Sequence, residues 1–311
     1  MRHAVKAIIG LVLLAILALA TPIAFDSPRA LPLLGVGTDS DTSDLPPISR
    51  FVARDGAALA YRRYGGDADR LVILIHGSAG SSIGMNALAK ALMAAGATVI
   101  APDMRGHGQS GRHGDIAFVG QLDDDLADLM SSLDSTHRAR ETTLIGFSSG
   151  GGFALRIAGG PLGRRFDRFI LLAPFLAHDA PNARPDTGGG TAVAVPRLVA
   201  LSLVNRLGIT AFNGLPVIAF AVPASNPANL TATYSYRLMM SFQADDYVAD
   251  LRRTSRPIMA MDGADDTAFR SDRLGTALPG IRVEIVPGVG HEGLVTTPAG
   301  TVAIVGAWQS K

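Results

Sequence analysis

The 311-residue chain contains no cysteine. That absence excludes disulfides, thiolate metal sites, a cysteine nucleophile and lipid attachment through sulfur. It leaves the redox compartment open. A surplus of charge is lacking too: 28 Lys and Arg stand against 27 Asp and Glu, a formal net charge of +1. No bulk attraction to nucleic acid is expected from that balance. No Gly-x-Gly-x-x-Gly follows a first strand, so dinucleotide binding has no support. Carboxylates do cluster at Asp123, Asp124, Asp125 and Asp128. No second cluster or hard-cation loop accompanies them, so no metal site is expected there. The run reads as the solvated first turn of an amphipathic helix with Leu122, Leu126, Leu129, Met130 and Leu133 on its apolar face.

What is present is apolar: 48% of the residues are hydrophobic, enough for one large core with an insertion. Residues 1–25 stand apart. Arg2, His3 and Lys6 make a basic start, and Ile8 to Ala20 is apolar throughout. Ala18-Leu19-Ala20 resembles the small-x-small site of a secretory signal. Residues 7–25 together approach the length that spans a bilayer. Two readings stay open, a cleaved signal peptide or an uncleaved anchor with its basic end in the cytoplasm. Either implies membrane attachment or export. Neither asks this segment to contribute to an active site. Residues 26–49, rich in Pro, Asp and Ser, read as a linker.

The body begins with a hairpin around Asp55-Gly56. Aliphatic runs follow at Leu71–Ile75, Ala97–Ala101, Thr142–Ile145 and Phe169–Ala173, with helical patterns between them. Such runs suit strands buried on both faces. Their alternation with helices predicts an α/β fold with a mostly parallel, doubly wound sheet. The alternation stops over residues 175–250, which carry many prolines and scattered apolar stretches. We read this as a mostly helical insertion over the carboxyl edge of the sheet. Leu215–Val222 is too short for a second membrane span and reads as core of that insertion. Alternation resumes at Pro257–Met261 and Ile281–Val286.

One stretch organises the rest. The strand Thr142–Ile145 runs into Gly146-Phe147-Ser148-Ser149-Gly150, and a helix follows. Strand, tight turn and helix give this Gly-x-Ser-x-Gly its meaning. Flanking glycines remove the Cβ atoms that would clash in such a turn. Ser148 then sits exposed at a helix N-terminus, where free N–H groups favour developing negative charge. A serine hydroxyl needs a base to take its proton, and His291, after the last strand, is the candidate. A carboxylate must orient that histidine. Asp262, Asp265 and Asp266 all lie after the preceding strand. The backbone N–H of Ser149 is one expected oxyanion donor.

The order serine, acid, histidine is that of the α/β-hydrolases, and the chain resembles that superfamily over residues 50–310. Within it the chain is similar to the serine aminopeptidase-like and monoglyceride lipase/lysophospholipase group. The resembling residues are His76-Gly77-Ser78-Ala79-Gly80, Asp103-Met104-Arg105-Gly106-His107-Gly108-Gln109-Ser110, Gly146-Phe147-Ser148-Ser149-Gly150-Gly151, Gly263-Ala264-Asp265-Asp266 and Gly290-His291. The resemblance implies an α/β-hydrolase core in two parts, residues 50–174 and 251–311, with a mainly helical cap at 175–250. It implies Asp266 as the acid, three residues after Gly263, and Ser78 as the second oxyanion donor. His76 is expected to be structural, and Asp103 and Arg105 to brace the floor of the site. The implied reaction is metal- and cofactor-independent cleavage of a small-molecule acyl ester, such as a monoacylglycerol or lysophospholipid, through an acyl-enzyme. Amide hydrolysis of the aminopeptidase type, and a non-catalytic binding protein on the same fold, are the alternatives.

Overall fold

A computed structural model of the chain describes residues 2–29, 31, 43–65, 69–134, 139–184, 190–223, 229–244 and 246–310. Much of the expected linker, residues 32–42, and His137 lie outside the described residues. The chain opens with α1 (Arg2–Phe25) and the hairpin β1 (Ile48–Val52) and β2 (Ala58–Tyr64). Then come β3 (Arg70–Ile75), α2 (Asn86–Ala94), β4 (Thr98–Pro102), α3 (Gln121–Asp134), β5 (Glu141–Phe147), α4 (Ser149–Gly159) and β6 (Arg168–Leu172). The segment where alternation fails holds β7 (Thr191–Val193), α5 (Val195–Arg206), β8 (Pro216–Phe220), β9 (Thr233–Ser235), α6 (Tyr236–Ser241) and α7 (Tyr247–Arg253). The chain closes with β10 (Ile258–Gly263), α8 (Leu274–Ala277), β11 (Arg282–Val286), α9 (Gly293–Thr296) and α10 (Pro298–Gln309).

Eight strands form one sheet in the order β1-β2-β4-β3-β5-β6-β10-β11. The β1–β2 and β2–β4 pairs are antiparallel, and every other pair is parallel. The continuous aliphatic runs mean what they imply, a sheet covered on both faces. Along β3 the alternation is visible: Leu71, Ile73 and Ile75 enter one core with Leu144, Phe153 and Phe169. Val72 and Leu74 enter the other with Val99, Ile145 and Trp308. The parallel strands all end at the same edge. The turns after β3, β5, β10 and β11 therefore meet there, as loops outside the carboxyl ends of a parallel sheet do.

The segment between β6 and β10, expected to be mainly helical, holds the three helices α5, α6 and α7 among its described residues together with a three-stranded antiparallel sheet, β7-β8-β9. Short strands among prolines and glycines carry too little periodicity to be read in advance. Val217 and Ala219 of β8 are buried, so that stretch is internal packing. The acidic run of α3 is not simply solvated. Asp125 is buried against Arg105, with N–O distances of 2.7 and 2.8 Å. Asp124 and Asp128 pair with Arg54, and Asp123 with Arg156.

Helix α1 does not stand free of the body. Ile23 is buried in a cluster with Ala200, Leu201, Val204, Val217 and Tyr236, and Leu19 packs at its edge. The Asp26 carboxylate accepts the Arg197 N–H of α5 at 3.2 Å.

Candidate active site

Ser148 occupies the turn between β5 and α4 with φ 54° and ψ −119°. A non-glycine residue rarely holds such angles, and the surroundings fix them here. The Ser148 N–H donates to Leu172 O at 2.8 Å, and its carbonyl accepts from Gly151, Gly152 and Phe175 N–H groups. The glycines at both flanks are dictated by space. A Cβ on Gly146 would lie 2.0 Å from the Gly150 carbonyl oxygen, and one on Gly150 would lie 2.4 Å from that of His76.

The turn after β3 closes on this elbow. A Cβ on Gly77 would meet the Ser148 Cβ at 3.0 Å and the Phe147 ring at 3.1 Å. Among the described residues, no protein acceptor meets the backbone N–H of Ser78 or Ser149. The two hydroxyls of these residues hydrogen-bond each other. Both expected oxyanion donors thus sit side by side with their N–H groups unused.

His291 follows β11. Its Nδ1 lies 2.7 Å from Asp266 Oδ2. The other Asp266 oxygen accepts the N–H groups of Ala268 at 2.6 Å and Phe269 at 2.9 Å. Burial, the largest single influence, raises the pKa of Asp266, but the His291 hydrogen bond and charge together with the hydrogen bonds from Asp262 and Phe269 outweigh it, and the pKa stands below the usual carboxylate value. The His291 ring packs between Phe147, at 4.8 Å between centroids, and Phe269, at 5.2 Å. Phe147 directly precedes Ser148, so the histidine lies beside the elbow. Of the three candidate aspartates, Asp266 is the one bonded to His291. Asp265 is exposed. Asp262 is fully buried behind Asp266, its pKa pushed up to about 8 by burial and by Asp266.

His76 and His107 sit in the floor. His76 is buried, with Nδ1 2.8 Å from Gly77 O and Nε2 accepting the Met104 N–H at 3.1 Å. Burial lowers its pKa, and that of His107. Asp103 accepts the Ser82 and Gln109 N–H groups at 2.7 and 2.8 Å, which ties the two loops together.

Sequence reasoning missed three residues. Tyr234 of β9 is buried, and its hydroxyl accepts the Ala79 N–H at 2.6 Å while meeting His107 Nε2. Thr231, three residues earlier, donates its N–H to Ala79 O at 2.8 Å. Ala79 is itself held at φ 59°. Arg184 donates to the carbonyls of Phe269 at 2.9 Å and Asp266 at 3.0 Å. All three residues come from the segment between β6 and β10. No local spacing could point to contacts this distant in the chain.

Sheet order, elbow and the histidine after the last strand define an α/β-hydrolase fold. The chain belongs to the serine aminopeptidase S33 family, whose pattern matches residues 66–268. An uncharacterized protein of Mycobacterium tuberculosis (strain ATCC 25618 / H37Rv) is 34% identical over 128 residues, 41% of this chain and 35% of that protein. A non-heme chloroperoxidase of Kitasatospora aureofaciens is 37% identical over 106 residues, 34% of this chain and 36% of that one. The chain thus matches about a third of the length of these curated relatives. Among solved structures, the monoacylglycerol lipase of Paleococcus ferrophilus superposes with a TM-score of 0.60 at 21% identity, covering 80% of this chain and 97% of that one. An esterase from Rhodococcus sp. ECU1013 gives 0.59 at 21%, covering 84% and 98%. At such identities these structures share the fold.

Proposed function

We propose that the protein is a serine hydrolase that cleaves carboxylic esters through a Ser148-His291-Asp266 triad. The observation that carries this is the strained elbow at Ser148 beside a histidine bonded to a buried carboxylate at 2.7 Å. Ser148 Oγ attacks the acyl carbonyl while His291 Nε2 takes its proton. The carbonyl oxygen gains charge and is met by the Ser78 and Ser149 N–H groups. Asp266 keeps the proton on Nδ1 and stabilises the imidazolium. His291 returns the proton to the leaving alcohol, and the acyl group stays on Ser148. Water, activated by the same histidine, then releases the acid.

The phenyl rings of Phe147 and Phe269 against His291, with Phe175 against Phe269, favour an apolar acyl group. On this reading residues 175–250 form a cap, and the substrates are lipid-like esters such as monoacylglycerols or lysophospholipids. Helix α1 supports a membrane location. Its Ile8–Phe25 stretch has a mean hydropathy of 2.7 and is 6% buried. We take it as an anchor rather than a cleaved signal, with residues 26–49 as a tether. Amide hydrolysis is the second reading, favoured by the aminopeptidase description of the family.

Fluorophosphonate labelling of the wild type and of Ser148→Ala tests the nucleophile. A panel of acyl esters of graded chain length beside aminoacyl anilides tests the substrate class. Label on both proteins, or on neither, overturns the triad. Faster turnover of the anilides overturns the ester reading alone.

A further inference from the structure

Helix α5 is apolar on two faces. Ala200, Leu201 and Val204 are buried against the cap and α1. On the other face Val195, Val199, Leu203 and Leu207 recur every four residues, the spacing of one helical stripe. All four are exposed, from 42% at Leu203 to 73% at Leu207. The turn after the helix adds Ile209 at 44% and Phe212 at 47%. A surface helix ordinarily turns charge toward water, and one apolar all round is buried in protein or in lipid. Exposed stripes of this kind mark interaction sites.

We propose that this face of α5 rests on the bilayer, a second lipid contact beside α1. The proposal rests on the reading of α1 as an anchor. Three observations select lipid over protein. First, the helix that carries the stripe packs directly on the apolar helix α1. Leu19 and Ile23 in the last turns of α1 pack on the α5 cluster, and Asp26 is hydrogen-bonded to the start of α5. A bilayer that surrounds Ile8–Phe25 ends beside α5. Second, residues 187–244 contain no Asp or Glu, while Arg197, Arg206 and Arg237 lie within them. Nothing acidic there repels lipid phosphates, and Arg206 is exposed in the last turn of α5. Third, the basic residues Arg2 and Lys6 sit at the other end of α1, which puts the cap on the far side of the membrane from them. The arrangement delivers membrane-borne acyl chains directly to the cap.

The absence of cysteine makes the test clean. Val199→Cys, Leu203→Cys and Phe212→Cys are each labelled with NBD in the full-length protein. Leu17→Cys on α1 and Val302→Cys on α10, 70% exposed, are the references. Each is reconstituted in phosphatidylcholine/phosphatidylglycerol vesicles with and without doxyl lipids. The α5 probes should shift to the blue and be quenched several-fold more than the probe at position 302. Quenching at 17 without quenching at 199, 203 and 212 overturns the α5 contact and leaves the anchor standing. No quenching at 17 overturns the anchor, and the proposal with it. A blue shift insensitive to doxyl lipid and dependent on protein concentration assigns the face to a second copy of the chain, which also overturns the proposal. In parallel, Leu203→Asp should raise KM for a vesicle-borne ester and leave a soluble short-chain ester unaffected. Equal effects on both substrates mean damage to the cap, not to lipid contact.

Discussion

Asp262→Asn separates the two carboxylates behind His291. Asp262 is fully buried, and one oxygen accepts the Gly263 N–H at 2.8 Å. The other oxygen meets no donor, and the neighbouring Asp266 is itself an acceptor. Two carboxylates hydrogen-bond only when one holds a proton. Burial first, and Asp266 second, push the Asp262 carboxyl up to about 8. In the unfolded chain the same group is ionised above about pH 4. Folding therefore takes up a proton between those values. The unfolded state binds fewer protons in that window, so stability falls as pH rises, by about 1.4 kcal/mol per pH unit from roughly 4 to 8. Asparagine keeps the shape, accepts from Gly263, donates to Asp266 and has no proton to lose. The variant should lose this slope. Its advantage over wild type should be small at pH 5 and reach a few kcal/mol at pH 8. Asp266 acts in the opposite direction: its lowered pKa costs stability only in acid, outside this window. Urea denaturation from pH 5 to pH 8, with m-values compared, measures both proteins. Turnover of Asp262→Asn should stay near wild type. Parallel pH slopes would refute the neutral acid. A loss of turnover equal to that of Asp266→Asn would show that the triad carboxylate is misplaced.

Ser148→Ala and His291→Ala should each cut ester turnover by about four to six orders of magnitude with far-UV circular dichroism unchanged, because triad members act as a unit. Asp266→Asn should cost about 10⁴ in kcat, since the amide favours the wrong tautomer. Gly77→Ala puts a methyl 3.0 Å from the Ser148 Cβ. Turnover should drop about a hundredfold from misplacement, with KM little changed. Tyr234→Phe leaves the Ala79 N–H without its acceptor, costing about 1–3 kcal/mol in urea denaturation and more in kcat than in KM. An unchanged kcat in that variant would mean that the turn holds itself.

The fold was legible because its signals are local and repeated. Each buried strand announces itself as an aliphatic run, and each catalytic-type residue follows the end of one. The elbow was the clearest case, since Gly146 and Gly150 are required by contacts under 2.5 Å that any side chain would violate. The preference for Asp266 over Asp265 came from family likeness. Physics supplies the reason: Asp266 is buried and fixed by two N–H groups, while Asp265 points outward. What stayed hidden depends on distant partners. The acidic run of α3 reads as surface until Arg54 and Arg105 arrive from two separate loops. Residues 1–25 read as independent of the body until Ile23 is seen inside the α5 cluster. The small β7-β8-β9 sheet has strands of three to five residues, too short for a period to register.

The contacts made by the segment between β6 and β10 bear on its proposed role as a cap. A simple lid would touch substrate and little else. Here Arg184 binds two carbonyls of the loop that carries Asp266, and Thr231 and Tyr234 hold both polar backbone groups of Ala79 beside the proposed oxyanion donor Ser78. The same short segment reaches the other way. Tyr236, two residues past Tyr234, is buried in the cluster that receives Ile23 of α1. One stretch of chain thus links the cluster that receives α1 to the turn of the proposed oxyanion donor. Oxyanion donors act through placement, and a displacement of one ångström costs about a hundredfold in rate. A cap shifted by lipid contact would therefore alter kcat through Ala79 before it altered chain-length preference. A cap that only sieved substrates would do the reverse. Comparing kcat for one soluble ester in the presence and absence of vesicles separates these two behaviours.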